Sequence, residues 1–153
     1  MCRLALPLAA FLALPGLPAA ASEDDIVRIM SAVGVSETAD ALEAAIGKAG
    51  ATVFARIDHG GGAASVGMEL GDSELVIFGN PKLGTPAMQD APLAGLFLPL
   101  KVLVYTDEEG STWIAYEKPE ETLDDLGISD DAPYLAQMRG ALQNLTMAAA
   151  AGG

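Results

Sequence analysis

His59 is the single histidine of this 153-residue chain, and it directly follows Asp58. An imidazole beside a carboxylate is the one pair in the sequence suited to moving a proton near neutral pH or, with further carboxylates, to anchoring a metal. One histidine cannot form a histidine-pair metal site within one chain. No Ser-His-Asp order, G-x-S-x-G elbow or H-E-x-x-H helix accompanies it. No catalytic residue is therefore assigned, and no metal or cofactor is expected. Structural hydrogen bonding, a ligand or proton role, and metal ligation with carboxylates stay open for His59, in that order.

The second candidate group lies in the stretch ELVIFGNPKLGTPAMQ, Glu74 to Gln89. Leu75 to Phe78 is a short apolar run of β-branched and aromatic type, which reads as a central strand. Gly79 and Asn80-Pro81 then turn the chain, and Thr85 before Pro86 has the form of an N-cap with proline at the first helical position. Backbone N–H groups at such a helix start can face an anion. Gly79 and Gly84 have the spacing of a phosphate-binding loop. That loop needs Lys and then Ser or Thr after its second glycine, and here Thr85-Pro86 follows while Lys82 lies inside the loop. Nucleotide hydrolysis is excluded on that ground.

Two functions fit these residues. One is a ligand- or partner-binding module with a pocket edged by Asp58, His59, Asn80, Lys82 and Thr85. The alternative is an enzyme that uses His59 for proton transfer while Lys82 and loop amides hold a small anionic substrate. Both require the two groups to meet, which happens if their strands run parallel and end on one sheet edge.

The elements that position them follow from periodicity. Asp25 to Val33 alternates and predicts a first strand. Ser36 is placed to cap a helix with the apolar stripe Ala39, Leu42, Ile46 and Ala49, stopped by Gly50. Thr52 to Ile57 alternates again and leads into Asp58-His59 and a flexible Gly60-Gly61-Gly62. After a short helix from Pro86 to about Asp90, Leu93 to Leu100 is apolar at almost every position. Pro99 to Thr106 and Thr112 to Tyr116 form a hairpin about Asp107 to Gly110, with Leu100, Val102 and Val104 on one face. A last helix carries Leu135, Met138, Leu142 and Leu145, and the tail from Ala148 is expected to fray. The scattered methionines read as core filling.

Composition sets the setting. Arg3, the apolar run Leu4 to Leu17 and Ala19-Ala20-Ala21 form a secretory signal peptide, residues 1–21, which places the mature domain, 22–153, in the periplasm or outside the cell. The one cysteine, Cys2, leaves with it. The domain must therefore be held by its core rather than by disulfides. All 21 acids lie beyond the leader and face 7 of the 8 bases, a formal charge of −14. Such a field repels nucleic acid and anionic lipid, so neither nucleic acid nor, after cleavage of the leader, a membrane is expected as a partner. The apolar segment around Phe97 is more than a chain of this size covers easily, so a homodimer is expected.

VSETADALEAAIGKAGATVFARIDH, LVIFGNPKLGTPAMQ and LPLKVLVYTDEEGSTWIAY, in this order, resemble the bacterial Domain of Unknown Function 302 family over about Val27 to Ile128. The resemblance implies a small α+β domain with helices on one curved sheet, often paired as a homodimer, with no general activity established; with the elements above, the expected fold is helices packed on one curved mixed sheet of about five strands. Where such proteins usually have an acid before the LPLK sequence, this chain has Phe97.

Overall fold

The computed structural model describes residues 25–153; the expected leader lies outside them. Five strands form one sheet: β1 (Ile26–Met30), β2 (Thr52–Asp58), β3 (Ser73–Gly79), β4 (Leu100–Thr106) and β5 (Thr112–Glu117). Their order is β1-β5-β4-β3-β2, and every neighbouring pair is antiparallel. The expectation of a mixed sheet is corrected on that point. Five helices accompany it among the described residues: α1 (Val35–Lys48), α2 (His59–Ser65), α3 (Pro81–Asp90), α4 (Pro119–Thr122) and α5 (Pro133–Ala150), with 3₁₀ turns at Pro92–Leu96 and Asp124–Leu126.

Alternation decides which sheet face is covered. Val76 and Phe78, Val102 and Val104, and Ile114 and Tyr116 are buried under Leu42 and Ile46 of α1 and Leu142 and Leu145 of α5. α1 follows β1 at one edge and precedes β2 at the other, so it spans the sheet and leaves both edge strands pointing the same way. The alternate residues, among them Leu75, Ile77, Leu103 and Ala115, lie on the opposite face. There they are only partly buried, outside both core clusters.

A second core joins Ala87 of α3, Ala94, Leu123 and Ile128 to Tyr134, Leu135 and Met138 in the first half of α5. The one long helix thus serves two cores with successive turns of one stripe. The buried Tyr134 hydroxyl donates to Asp90 Oδ2 at 2.8 Å, which ties the start of α5 to the end of α3. Arg56 of β2 binds Glu74 of β3 and, from α1, Asp40 and the Ser36 carbonyl and hydroxyl. The carboxylates beside it hold the guanidinium even more firmly protonated than usual.

Several local expectations change. α1 starts at Val35 with Gly34 as N-cap and no side-chain cap, so Ser36 lies inside the helix. Gly50 does adopt the left-handed conformation, at φ 71°. Gly60-Gly61-Gly62 is helical because Asp58 caps it. The tail does not fray at Ala148: the helix runs to Ala150, Ala149 is buried, and the Ala150 carbonyl accepts the Ala32 N–H at 2.9 Å. Met30, Met68, Met88 and Met147 are exposed, and of the methionines expected in the core only Met138 is buried there.

Candidate functional site

β3 ends at Gly79, and Asn80 leaves the strand with extended backbone, φ −133° and ψ 120°. Its Oδ1 accepts the Lys82 N–H at 3.0 Å, and its carbonyl receives the N–H groups of Leu83 at 2.9 Å and Gly84 at 3.0 Å. Pro81 is the first helical residue and has no N–H. Asn80, not Thr85, is therefore the N-cap, and Thr85-Pro86 lies within α3. The choice is physical: an Asn-Pro pair offers both the capping amide and a residue with the helical φ already set. It also uses up the donors. The three N–H groups that an anion would seek in this turn already bond to Asn80, so the helix start is not an open anion cradle.

What this end of the sheet forms instead is an apolar cleft of about 410 Å³ lined by Phe54, Gly79, Asn80, Pro81, Gly84, Thr85, Met88, Leu98 and Pro99. The GNPKLGTP and LPLK stretches meet here because β3 and β4 pair directly, Phe78 opposite Leu100. Gly79 makes the close approach possible: a Cβ on it would lie 3.2 Å from the Phe54 ring and 3.4 Å from Pro99. At Gly84 a Cβ would meet Leu98 and Met88 only at ordinary contact distance, 3.7 and 3.9 Å. Phe54 reaches the cleft through the register shift of β2 between Val53 and Ala55, which leaves it as an extra residue opposite β3. Phe54 is 57% exposed. The only side-chain hydrogen-bonding groups at the wall are the Asn80 amide and the Thr85 hydroxyl. A smaller apolar space of about 120 Å³, between Phe78, Leu83, Met138 and Leu145, lies behind the same Gly79, Gly84 and Leu98.

Asp58 and His59 stand elsewhere. Thr52 pairs with Gly79 and Asp58 with Glu74, so the two signatures occupy opposite ends of an antiparallel pair. Five residues of β3 separate them, roughly 17 Å at about 3.4 Å per residue. The single pocket edged by Asp58, His59, Asn80, Lys82 and Thr85 is not formed. Asn80 and Thr85 share the cleft, and Lys82 is exposed on the first turn beside it. At the far end Asp58 Oδ1 accepts the Gly61 N–H at 2.7 Å and so caps α2, while His59 opens that helix exposed. No group of three or more histidine, cysteine or acidic residues among the described ones is placed to hold a metal.

Sequence reading missed Phe54, Met88 and Leu98 as cleft residues. Phe54 looked like one step of an alternating strand, since a register shift leaves no local mark. Phe97 is also corrected: it is half-buried against the second core, and the exposed residues of that segment are Leu93 and Leu96.

A match to the domain of unknown function DUF302 spans residues 27–145. The chain belongs to the DUF302 family. A DUF302 protein from Bacillus stearothermophilus, known from a crystal structure and uncharacterised, superposes with a TM-score of 0.75 at 20% identity, covering 82% of this chain and 98% of that one. At that identity the likeness concerns the fold alone. Among curated proteins, the fluoride-specific ion channel FluC 1 of Brucella suis is 37% identical over 120 residues, 77% of this chain and 47% of its own length. The FluC 1 of Brucella abortus matches equally over 44% of its length. This DUF302 chain thus spans less than half of those relatives, and no helix among its described residues is long and apolar enough to cross a membrane.

Proposed function

We propose that this DUF302 protein is an exported, non-catalytic binding module that acts as a homodimer and takes an apolar group into the cleft beside Asn80. The observation that carries this reading is the make-up of the cleft. The family signature builds walls of Phe54, Met88, Leu98 and Pro99 around two neutral polar groups. Its size lies in the range of about 300–1,000 Å³ usual for small-molecule sites, and a few polar groups in an apolar wall would orient rather than transform an occupant. Catalysis through His59 loses its support, since the imidazole stands at the other end of the strand pair from Lys82 and the α3 start.

The names of the curated relatives concern fluoride. A cleft with apolar walls, α3 donors already bonded and an acidic chain around it offers a small anion little, so fluoride binding is not carried over. The part of those relatives beyond the shared domain is where that activity would reside.

The experiment is methyl-resolved NMR on the processed protein at low micromolar concentration, titrated with the neutral apolar dye Nile red. Saturable shifts at Met88 and Leu98, removed by Gly84→Leu, are expected. Shifts centred on His59 and absent from the cleft would overturn the reading.

A further inference from the structure

We propose that the occupant of the cleft is the flap Val66–Leu70 of a second copy of this chain, exchanged reciprocally across the uncovered face of the sheet. The proposal rests on the reading of the cleft as a site for an apolar group and names that group.

The flap follows α2, a helix none of whose residues is buried. Within five residues it presents Val66, Met68 and Leu70 at 70%, 67% and 57% exposure, with Glu69 as its only charge. Of the large apolar side chains exposed among the described residues, these are the only three that fall within five positions of one another, and such a cluster marks a contact. The flap cannot fill the cleft of its own chain. It emerges beyond Asp58, while the cleft lies beyond Thr52 at the opposite end of β2.

Symmetry removes the difficulty. A two-fold axis lying between two sheets packed face to face, perpendicular to their strands, sets β2 over β2 and reverses its ends. Each flap then stands over the partner's cleft, and both contacts form or fail together, as an isologous interface requires. The surface between them suits a like copy. Leu75, Ile77, Leu103 and Ala115 form its centre, and the charges on strand residues of that face are Arg28, Lys101 and Glu117, a net of one positive charge. On a chain with a formal charge of −13 over its full length, this is where a second copy meets least repulsion. Lys82 at the cleft also offers Glu69 of the flap an opposite charge.

Area allows the ends to take part. Five strands about 4.8 Å apart and about 20 Å long give a projected face of roughly 450 Å². Flap and cleft are the apolar surfaces that adjoin it and add to the about 800 Å² of accessible surface that a stable dimer buries per partner.

The test uses the processed protein, which carries no cysteine once Cys2 has left with the leader. Met68→Cys and Thr85→Cys variants are made separately, mixed and oxidised. A covalent 1:1 pair that needs both variants is expected, with neither forming a covalent dimer alone. Covalent dimer from Met68→Cys alone or Thr85→Cys alone would put like ends together and overturn the proposal. So would a dimer by light scattering with no cross-link in the mixture, or a monomer at all concentrations. Met68→Asp should weaken self-association by about tenfold or more, since a carboxylate would enter an apolar cleft. It should also tighten Nile red binding to the cleft, since the dye no longer competes with the flap, and a further Gly84→Leu should abolish that binding. If Nile red binds the parent protein in a Gly84→Leu-sensitive way and no cross-link forms, the cleft takes a small ligand and only the occupant is wrong. If neither occurs, the reading of the cleft falls as well.

Discussion

Asp58 and Asn80 stand at opposite ends of one antiparallel strand pair and perform the same task, each turning a side-chain oxygen onto a backbone N–H of the helix that follows: Gly61 at 2.7 Å for Asp58, Lys82 at 3.0 Å for Asn80. The two caps should differ in what they support. α3 is anchored in the second core through Ala87, whereas α2 buries nothing. Asn80→Ala should lower global stability by about 1 kcal/mol and Asn80→Asp by much less, because the acid caps as well as the amide. Asp58→Ala should shift the urea midpoint less than Asn80→Ala does. Equal losses for the two alanine variants would contradict the assignment.

Tyr134 gives an alkaline signature. Burial first, then the bond to Asp90, pushes its hydroxyl up to about 12 from an ordinary 10. The folded state therefore favours the protonated form, so this contribution is complete below pH 10 and is lost as pH rises towards 12. Tyr134→Phe should cost about 1 kcal/mol at neutral pH, from the lost hydrogen bond. It should also flatten the decline of stability between pH 10 and 12, seen by comparing urea unfolding of the two proteins at each pH.

Asp107 gives the acid counterpart. Its carboxylate accepts from Trp113 Nε1 at 2.6 Å and from the N–H groups of Ser111 and Glu109, and these donors, the indole first, hold it below the usual carboxylate range. The folded state favours the ionised form, so the contribution is present above pH 3.8 and disappears as pH falls through the lowered value. Trp113 is the only tryptophan. Its emission in the folded protein should titrate with a midpoint below 3.8, and Asp107→Ala should abolish that step.

Arg56 joins β2, β3 and the start of α1, and the Glu74 side chain it meets is only 14% exposed. Arg56→Met should cost about 1.5–3 kcal/mol, much of it from leaving that carboxylate without its cation. Adding Glu74→Gln should recover part of the loss. A double variant as unstable as the sum of the two single ones would show that the pair is not coupled.

Much of the fold was legible in the sequence. The hairpin from Leu100 to Glu117, with Val102 and Val104 facing inward, and the α5 stripe Leu135, Met138, Leu142 and Leu145 stand as periodicity predicts them. The helix starts were less legible. Asn80-Pro81 and Thr85-Pro86 carry the same capping chemistry five residues apart, and the choice between them was settled by where β3 ends.

The sequence by itself determined the elements and their inward faces, because side-chain direction repeats every two residues in a strand and every 3.6 in a helix, a local property. Only the tertiary structure decided strand direction, and with it the site. The connection between β2 and β3, residues 59–72, is long enough for a parallel crossover or an antiparallel return, and no local signal separates the two. The antiparallel outcome sent Asp58 and His59 to one end of the sheet and Asn80, Lys82 and Thr85 to the other. The register shift that turns Phe54 towards Gly79 arises from the pairing of two strands, so it too appears only once they are paired.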